Sequence, residues 1–201
     1  MLGLPKSTEI SKQLPKKAIY AKFDLKPAQR DHFDEDISKL SIVNAISPTT
    51  IPALQKGTDV ECIYVVEVIL KRLNYDPKNI LLLSKLIPQK ILFALHYEDQ
   101  LQLAIYHTKL ICSGWNQDDK FVLNLQGLNL DTIWENLVIT TGDIVIEGEN
   151  SLKEQIAVDD TRTKLLKEIA DLEKKARSEK QPRKRLEMFE KIKKLKLIMD
   201  E

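Results

Sequence analysis

The chain has 201 residues, 43% of them apolar, enough to bury one core with room for an appendage. With 31 basic residues against 30 acidic ones, the net charge of +1 excludes a global attraction to polyanions, so only local patches can supply one. The longest apolar runs, "YVVEVIL" and "KILFAL", fall far short of the roughly 20 residues of a membrane span, and no continuous apolar segment follows the first lysines; a cytoplasmic protein with no membrane partner is expected.

Residues 1–24 carry a short echo, "LPKS" at Leu4 and "LPKK" at Leu14, followed by "AIYAKF", whose alternation predicts a strand. In "KPAQRDHFDEDISKL" Pro27 suits a first helical position, and Phe33, Ile37 and Leu40 recur at helical spacing, predicting one amphipathic helix. "ECIYVVEVILK" is β-branched and apolar on both faces except at Glu61 and Glu67, the pattern of a central strand. A short buried helix follows in "YDPKNILLLSKLIP", with Asp76 as cap, Pro77 in first position and Pro88 beyond its end.

"KILFALHYEDQLQLAIYHTKLI" reads as a hairpin turning at Glu98 and Asp99, and "KFVLNL" as a further strand. Leu130, Ile133, Trp134 and Leu137 form a helical stripe capped by Asn129 or Asp131. Residues 1–143 are therefore expected to form an α+β domain on a largely antiparallel sheet with short helices. After a glycine-bearing joint at 144–150 no glycine occurs, and residues 151–201 carry two helical stripes. Ser151 and Glu154 stand in capping-box spacing; Val158, Leu165, Ile169, Leu172 and Ala176 form the first stripe, with Arg162 the misfit. Met188, Ile192, Leu195 and Met199 form the second, after a break at Gln181 and Pro182. An antiparallel helical hairpin, a coiled-coil-like arm, is predicted.

The opening "LGLPKST", the central "IPQKILFAL" followed by "QLAIYHTK", and the tail "LEKKARSEKQ" with its second helix resemble a bacterial family of unknown function. The resemblance implies members of about this length that tend to be encoded beside helicases and DNA methyltransferases in defence islands. Pro182 departs from the family pattern, in which the helix runs on more smoothly. The resemblance implies a setting in DNA-directed defence, with a helicase or DNA methyltransferase as partner protein, and it brings no catalytic motif.

No residue set compels a reaction. His32, His96 and His107 lack partners at metal-ligand spacing, and six glycines offer no phosphate-cradling loop, so neither metal nor cofactor is expected. Cys62 and Cys112 are expected as buried, reduced thiols. A metal-dependent nuclease would have to use Glu67, Asp99, His107 and Lys109, with "HTK" where a carboxylate is required before the lysine. Glu67 itself, inside an apolar strand, needs either solvent or a partner such as Lys109 or a tyrosine.

Two basic clusters stand out. One comprises Lys6, Lys12, Lys16, Lys17 and Lys22, interleaved with Tyr20 and Phe23, which suit either a stacking surface or plain strand alternation. The other is "KKARSEKQPRKR", where Lys174, Lys175, Arg177, Lys180, Arg183, Lys184 and Arg185 face one acid, Glu179. Charge at this spacing suits nucleic-acid backbone, DNA or RNA, and Lys12, Lys16 and Lys17 are expected to contribute. Leu165, Leu166, Ile169, Leu172, Leu186, Phe189, Ile192, Leu195, Leu197 and Met199 are expected to engage a partner protein. The reading is a non-catalytic adaptor; an unusual nuclease and a structural homodimer are the alternatives.

Overall fold

The structure, a computed structural model, describes residues 2–117 and 122–200, the side chains as far as Ile198. It divides into two compact units, Met1–Ile144 and Val145–Glu201. In the first, after a single 3-10 turn at Lys6–Thr8, the order is β1 (Glu9–Gln13), α1 (Lys16–Lys22), α2 (Pro27–Asp36), β2 (Ile37–Ile46), β3 (Ile63–Leu70), α3 (Pro77–Leu83), β4 (Lys90–Tyr97), β5 (Gln100–Tyr106), β6 (Leu110–Cys112), β7 (Asn116–Gln117) and α4 (Leu130–Gly142). The strands form one sheet in the order β1-β2-β3-β4-β5-β6, with β7 also on β5. Among the named strands β3 and β4 alone run parallel and the other pairs are antiparallel, in keeping with the α+β class expected from the sequence.

The hairpin forms as read, with His96 opposite Leu101 and Glu98 at φ 51° in the turn. So does α3, where the Asp76 carboxylate accepts from the Lys78 N–H and Pro77 occupies a position that needs no donor. Other expectations need correction. "AIYAKF" is helical: Pro15 precedes the helix in an extended conformation, and Ile19, Tyr20 and Phe23, at i, i+1 and i+4, turn inward while Ala18 and Lys22 stay exposed. A strand would have buried Ala18 and Lys22 on the same face as Tyr20. Helix α2 stops at Asp36, so Ile37 and Leu40 belong to β2, a strand not foreseen. Residues 122–125 form no strand, and Lys120 and Phe121 lie outside the described residues. Leu123 instead donates its N–H to the Leu2 carbonyl, with both side chains buried.

Alternate residues of the central strands bury on both faces. Val66, Val68 and Leu70 of β3 and Ile91, Phe93 and Leu95 of β4 join Ile19, Phe33, Ile80 and Leu83 from the three helices in one apolar cluster. Each such side chain contributes about 1.5–3 kcal/mol relative to exposure, so this layer, and not β1 with its five exposed residues, does most to hold the unit together. Helix α4 packs on β5 and β6.

The second unit holds α5 (Leu152–Ser178) and α6 (Pro182–Asp200). The capping box forms: Ser151 Oγ accepts from the Glu154 N–H, and Glu154 Oε2 from the Ser151 N–H at 2.8 Å. Buried Gln155 accepts from the Glu147 N–H and Asn150 Nδ2, fastening the end of the joint to the first turns of α5. The two helices pack on one another. Lys191 pairs with Glu168 at 2.7 Å, and Ile198 lies beside Val158 and Leu165, so the chain doubles back. The break falls at residues 179–181; Pro182 does not interrupt helix but opens α6, where its missing N–H costs nothing.

Candidate nucleic-acid interface

The seven cations of the elbow divide by helix. Lys174, Lys175 and Arg177 lie near the end of α5, where a positive charge complements the partial negative charge of the exposed carbonyls; these have a structural reason to be there. Lys180 is in the connection. Arg183, Lys184 and Arg185 occupy the first turn of α6, which has no acidic residue, so three cations sit against the positive end of a helix dipole.

Among the described residues a single acid pairs with them. All seven are exposed, and among the described residues only Arg183 has an ion pair, with Glu187 at 3.4 Å, its side chain still 93% exposed. Glu179, the one acid of the stretch, accepts the Gln181 N–H at 2.9 Å and thereby shapes the connection. The Arg185 N–H then bonds the Gln181 carbonyl and starts α6.

The first basic cluster is different. Lys16 Nζ donates to the Asp34 carboxylate at 2.5 Å and to the Ile37 carbonyl, Tyr20 donates its hydroxyl to the same carboxylate, and Lys22 bonds the Leu86 carbonyl. Partial burial would raise the Asp34 carboxyl, but hydrogen bonds from Lys16 and Tyr20 outweigh it and hold the group below the usual carboxylate range. The half-buried Tyr20 ring meets Phe33 edge-on at 5.9 Å, and Phe23 packs on the same cluster. Lys16 is thus a strut, and neither ring stands free for a base to stack on. Lys12, on the edge strand β1, and Lys17, on α1, remain exposed.

The nuclease set is not brought together. Asp99 is exposed in the β4–β5 turn, whereas His107 and Lys109 follow the far end of β5, a strand length of roughly 20 Å away. Glu67 lies on β3 with His96 of β4 as neighbour, Nε2 to Oε1 3.8 Å. His107 Nδ1 accepts from Trp134 Nε1 at 3.4 Å. Among the described residues no three His, Cys, Asp or Glu side chains could hold a metal ion. Both cysteines are free thiols, Cys62 half-buried and Cys112 exposed rather than buried.

The apolar residues assigned to a partner also separate into two sets. Leu165, Ile169 and Leu172 of α5 and Ile192 and Leu195 of α6 are buried or half-buried, while Leu166, Leu186, Phe189 and Leu197 face outward; the Met199 side chain lies outside the described residues.

Two carboxylates tie together distant parts of the sheet unit: Asp36, which the sequence does not single out, and Asp131, a candidate helix cap in the sequence that instead serves the loop at 58–60 while Asn129 caps α4. Asp36, 0% exposed, accepts from the Asp76 N–H at 2.8 Å, Asn79 Nδ2 at 2.7 Å and Arg72 Nε, binding the end of α2 to the start of α3. Asp131 accepts from the N–H groups of Thr58 (2.6 Å), Asp59 (3.2 Å) and Val60 (2.8 Å). Desolvation would raise Asp131, but these three donors more than offset it and hold the carboxyl low. A Cβ on Gly57 would stand 2.2 Å from Asp131 Oδ1, so the loop closes only with glycine there.

A family model described as Domain of unknown function (DUF4391) matches residues 2–197. The chain belongs to this family. The match takes in the sheet, the arm and the elbow alike, so the family is defined over both units together. No curated protein and no solved structure matches the chain. Among the described residues no helix is long and apolar enough to cross a membrane.

Proposed function

We propose that the chain is a non-catalytic binding subunit of a nucleic-acid-directed bacterial system, which contacts the sugar–phosphate backbone through its elbow and holds partner proteins through its arm. One observation carries the reading: Arg183, Lys184 and Arg185 stand in the first turn of α6, where their charge opposes the helix dipole. Each such cation costs stability by a few tenths of a kcal/mol or more at low salt. A turn kept soluble by charge would be served as well by acids, which the dipole favours. A phosphate group, in contrast, is attracted by the cations and by the free N–H groups of the same turn. Lys180 and the α5 cations extend the patch across the connection. On the resemblance of the sequence, a cytoplasmic system containing a helicase or DNA methyltransferase supplies the setting.

Contacts of this kind position a protein on nucleic acid without reading bases. Binding is therefore expected to be weak, indifferent to sequence and steeply salt-dependent. The test is fluorescence anisotropy on labelled duplex DNA, single-stranded DNA and RNA over a salt series, with the full chain and a variant carrying Lys180→Gln, Arg183→Gln, Lys184→Gln and Arg185→Gln. The variant should bind more weakly, and on duplex its log K against log salt slope should fall by about 0.9 for each phosphate that is no longer neutralised. Absence of binding by the unmodified chain at low salt, or the same slope in the variant, refutes the reading.

A further inference from the structure

The arm carries an apolar stripe that its own packing does not use. At about 100° per residue, Met188, Ile192 and Leu195 lie on the side of α6 that meets α5, while Leu186, Phe189, Lys193 and Leu197 fall within an arc of about 80° on the opposite side. Leu186, Phe189 and Leu197 are 61%, 49% and 58% exposed. Glu190 borders the arc, and neither it nor Lys193 has an ion pair among the described residues.

The order of charges along this stripe identifies its occupant. Leu186 and Leu197 stand near its two ends, and a two-fold axis midway between Lys191 and Ile192 would set two α6 helices antiparallel, with each Leu186 against Leu197 of the other copy. The same axis sets each Glu190 against Lys193 of the other copy. One operation thus buries the leucines and pairs both charges twice, the self-complementarity that an isologous interface requires. Phe189 would lie against the aliphatic stem of Lys193, which a lysine can bury while its ammonium reaches the carboxylate. A parallel pairing would instead stack Lys193 on Lys193.

We infer that the outer face of α6 binds a second copy of the chain, antiparallel and in this register. The inference rests on the reading of the arm as a docking element and names one of its partners. A helix about 28 Å long, paired along one stripe, makes a small interface, so the dimer is expected in reversible, concentration-dependent exchange.

Sedimentation equilibrium of the full chain tests this, with Glu190→Lys, Lys193→Glu and the double exchange. The unmodified chain should approach dimer mass as concentration rises. Each single variant should be shifted toward monomer at least tenfold in concentration, because like charges then meet. The double exchange restores opposite charges at both contacts and should restore the dimer, and an equimolar mixture of the two single variants should associate with each other. A chain that remains monomeric up to about 1 mM, or dimers indifferent to Glu190→Lys, or no recovery in the double exchange, overturns the proposal. Circular dichroism of each variant establishes that α6 is intact. Because Lys180, Arg183, Lys184 and Arg185 are untouched, nucleic-acid binding in the monomeric variants reports on the elbow alone and separates failure of the dimer from failure of the backbone-binding reading.

Discussion

Charge is used in opposite ways in the two units. In the sheet unit the carboxylates that matter are turned inward or onto backbone: Asp36 joins α2 to α3, Asp131 closes the loop at 57–60, and Asp34 fastens Lys16 and Tyr20. In the arm, ion pairs run along exposed helix flanks, and at the elbow six of seven cations have no ion pair among the described residues. An ion with three donors is explained by the fold it holds. An ion with no ion pair among the described residues, at the wrong end of a helix, is what the proposed contact with phosphate would answer. The contrast separates Lys16 from Lys184, although both looked alike as members of basic clusters.

The strongest test of that contrast removes a strut. Asp36→Ala deletes a fully buried carboxylate and strands Arg72, Asn79 and the Asp76 N–H, which should cost about 3–5 kcal/mol in chemical denaturation of the full chain. A cost below about 1 kcal/mol would mean that the junction of α2 and α3 is held by the apolar cluster alone. Ile192→Ala, in the seam of the arm, should cost about 2 kcal/mol, the low end for such a truncation because a two-helix seam can close on the gap. The change should appear in helical signal from the arm and leave the near-ultraviolet signal of Trp134 in the sheet unit unchanged. A shift in both signals would show the two units to be one cooperative body.

A third test uses acid. The N–H donors at 57–60 lower the Asp131 carboxyl in the folded chain, so its stabilising contribution is complete above the ordinary Asp range near pH 4. It is lost as pH falls through the lower folded value. Asp131→Asn should therefore lower stability at neutral pH and flatten its decline below about pH 4. Gly57→Ala, which drives a Cβ into the carboxylate, should reproduce the neutral-pH destabilisation. Acid profiles of the unmodified chain and Asp131→Asn that run parallel would show that the loop does not depend on this carboxylate.

What could be read in the sequence was local. The hairpin, α3 with its Asp76 cap, α4 with Asn129 and the capping box at Ser151 each have their signals within a few residues. Strand β2 escaped because Phe33, Ile37 and Leu40 continue a helical stripe, whereas the helix ends at Asp36, whose carboxylate finds partners at the start of α3, far along the chain. The β1 residues escaped because all five are exposed and no alternation marks them. Glu67 was visible as an anomaly, yet its neighbour His96 is set by the parallel pairing of β3 and β4, which no local pattern announces. The elbow was legible as charge, whereas its meaning needed the helix boundary: with the break at Pro182, Arg183 to Arg185 fall after the break, and only the position of Pro182 inside α6 puts them on a dipole.

That position yields the smallest and most discriminating effect. Lys184→Glu places an acid in the first turn of α6, where its charge favours the N–H groups that Lys184 opposes. If the turn exists only to connect two helices, the exchange improves the arm and loses nothing. If it exists to meet phosphate, the same exchange raises the melting temperature of the arm by roughly 2–4 °C while nucleic-acid binding falls. Stability and binding must then move in opposite directions in one variant. This could not follow from general damage to the fold, which lowers both. Thermal circular dichroism and anisotropy on the same preparation measure the pair. Raised stability with unchanged binding would leave the elbow a solvated connection, and lowered stability would mean that Lys184 has an intramolecular role that the helix dipole does not account for.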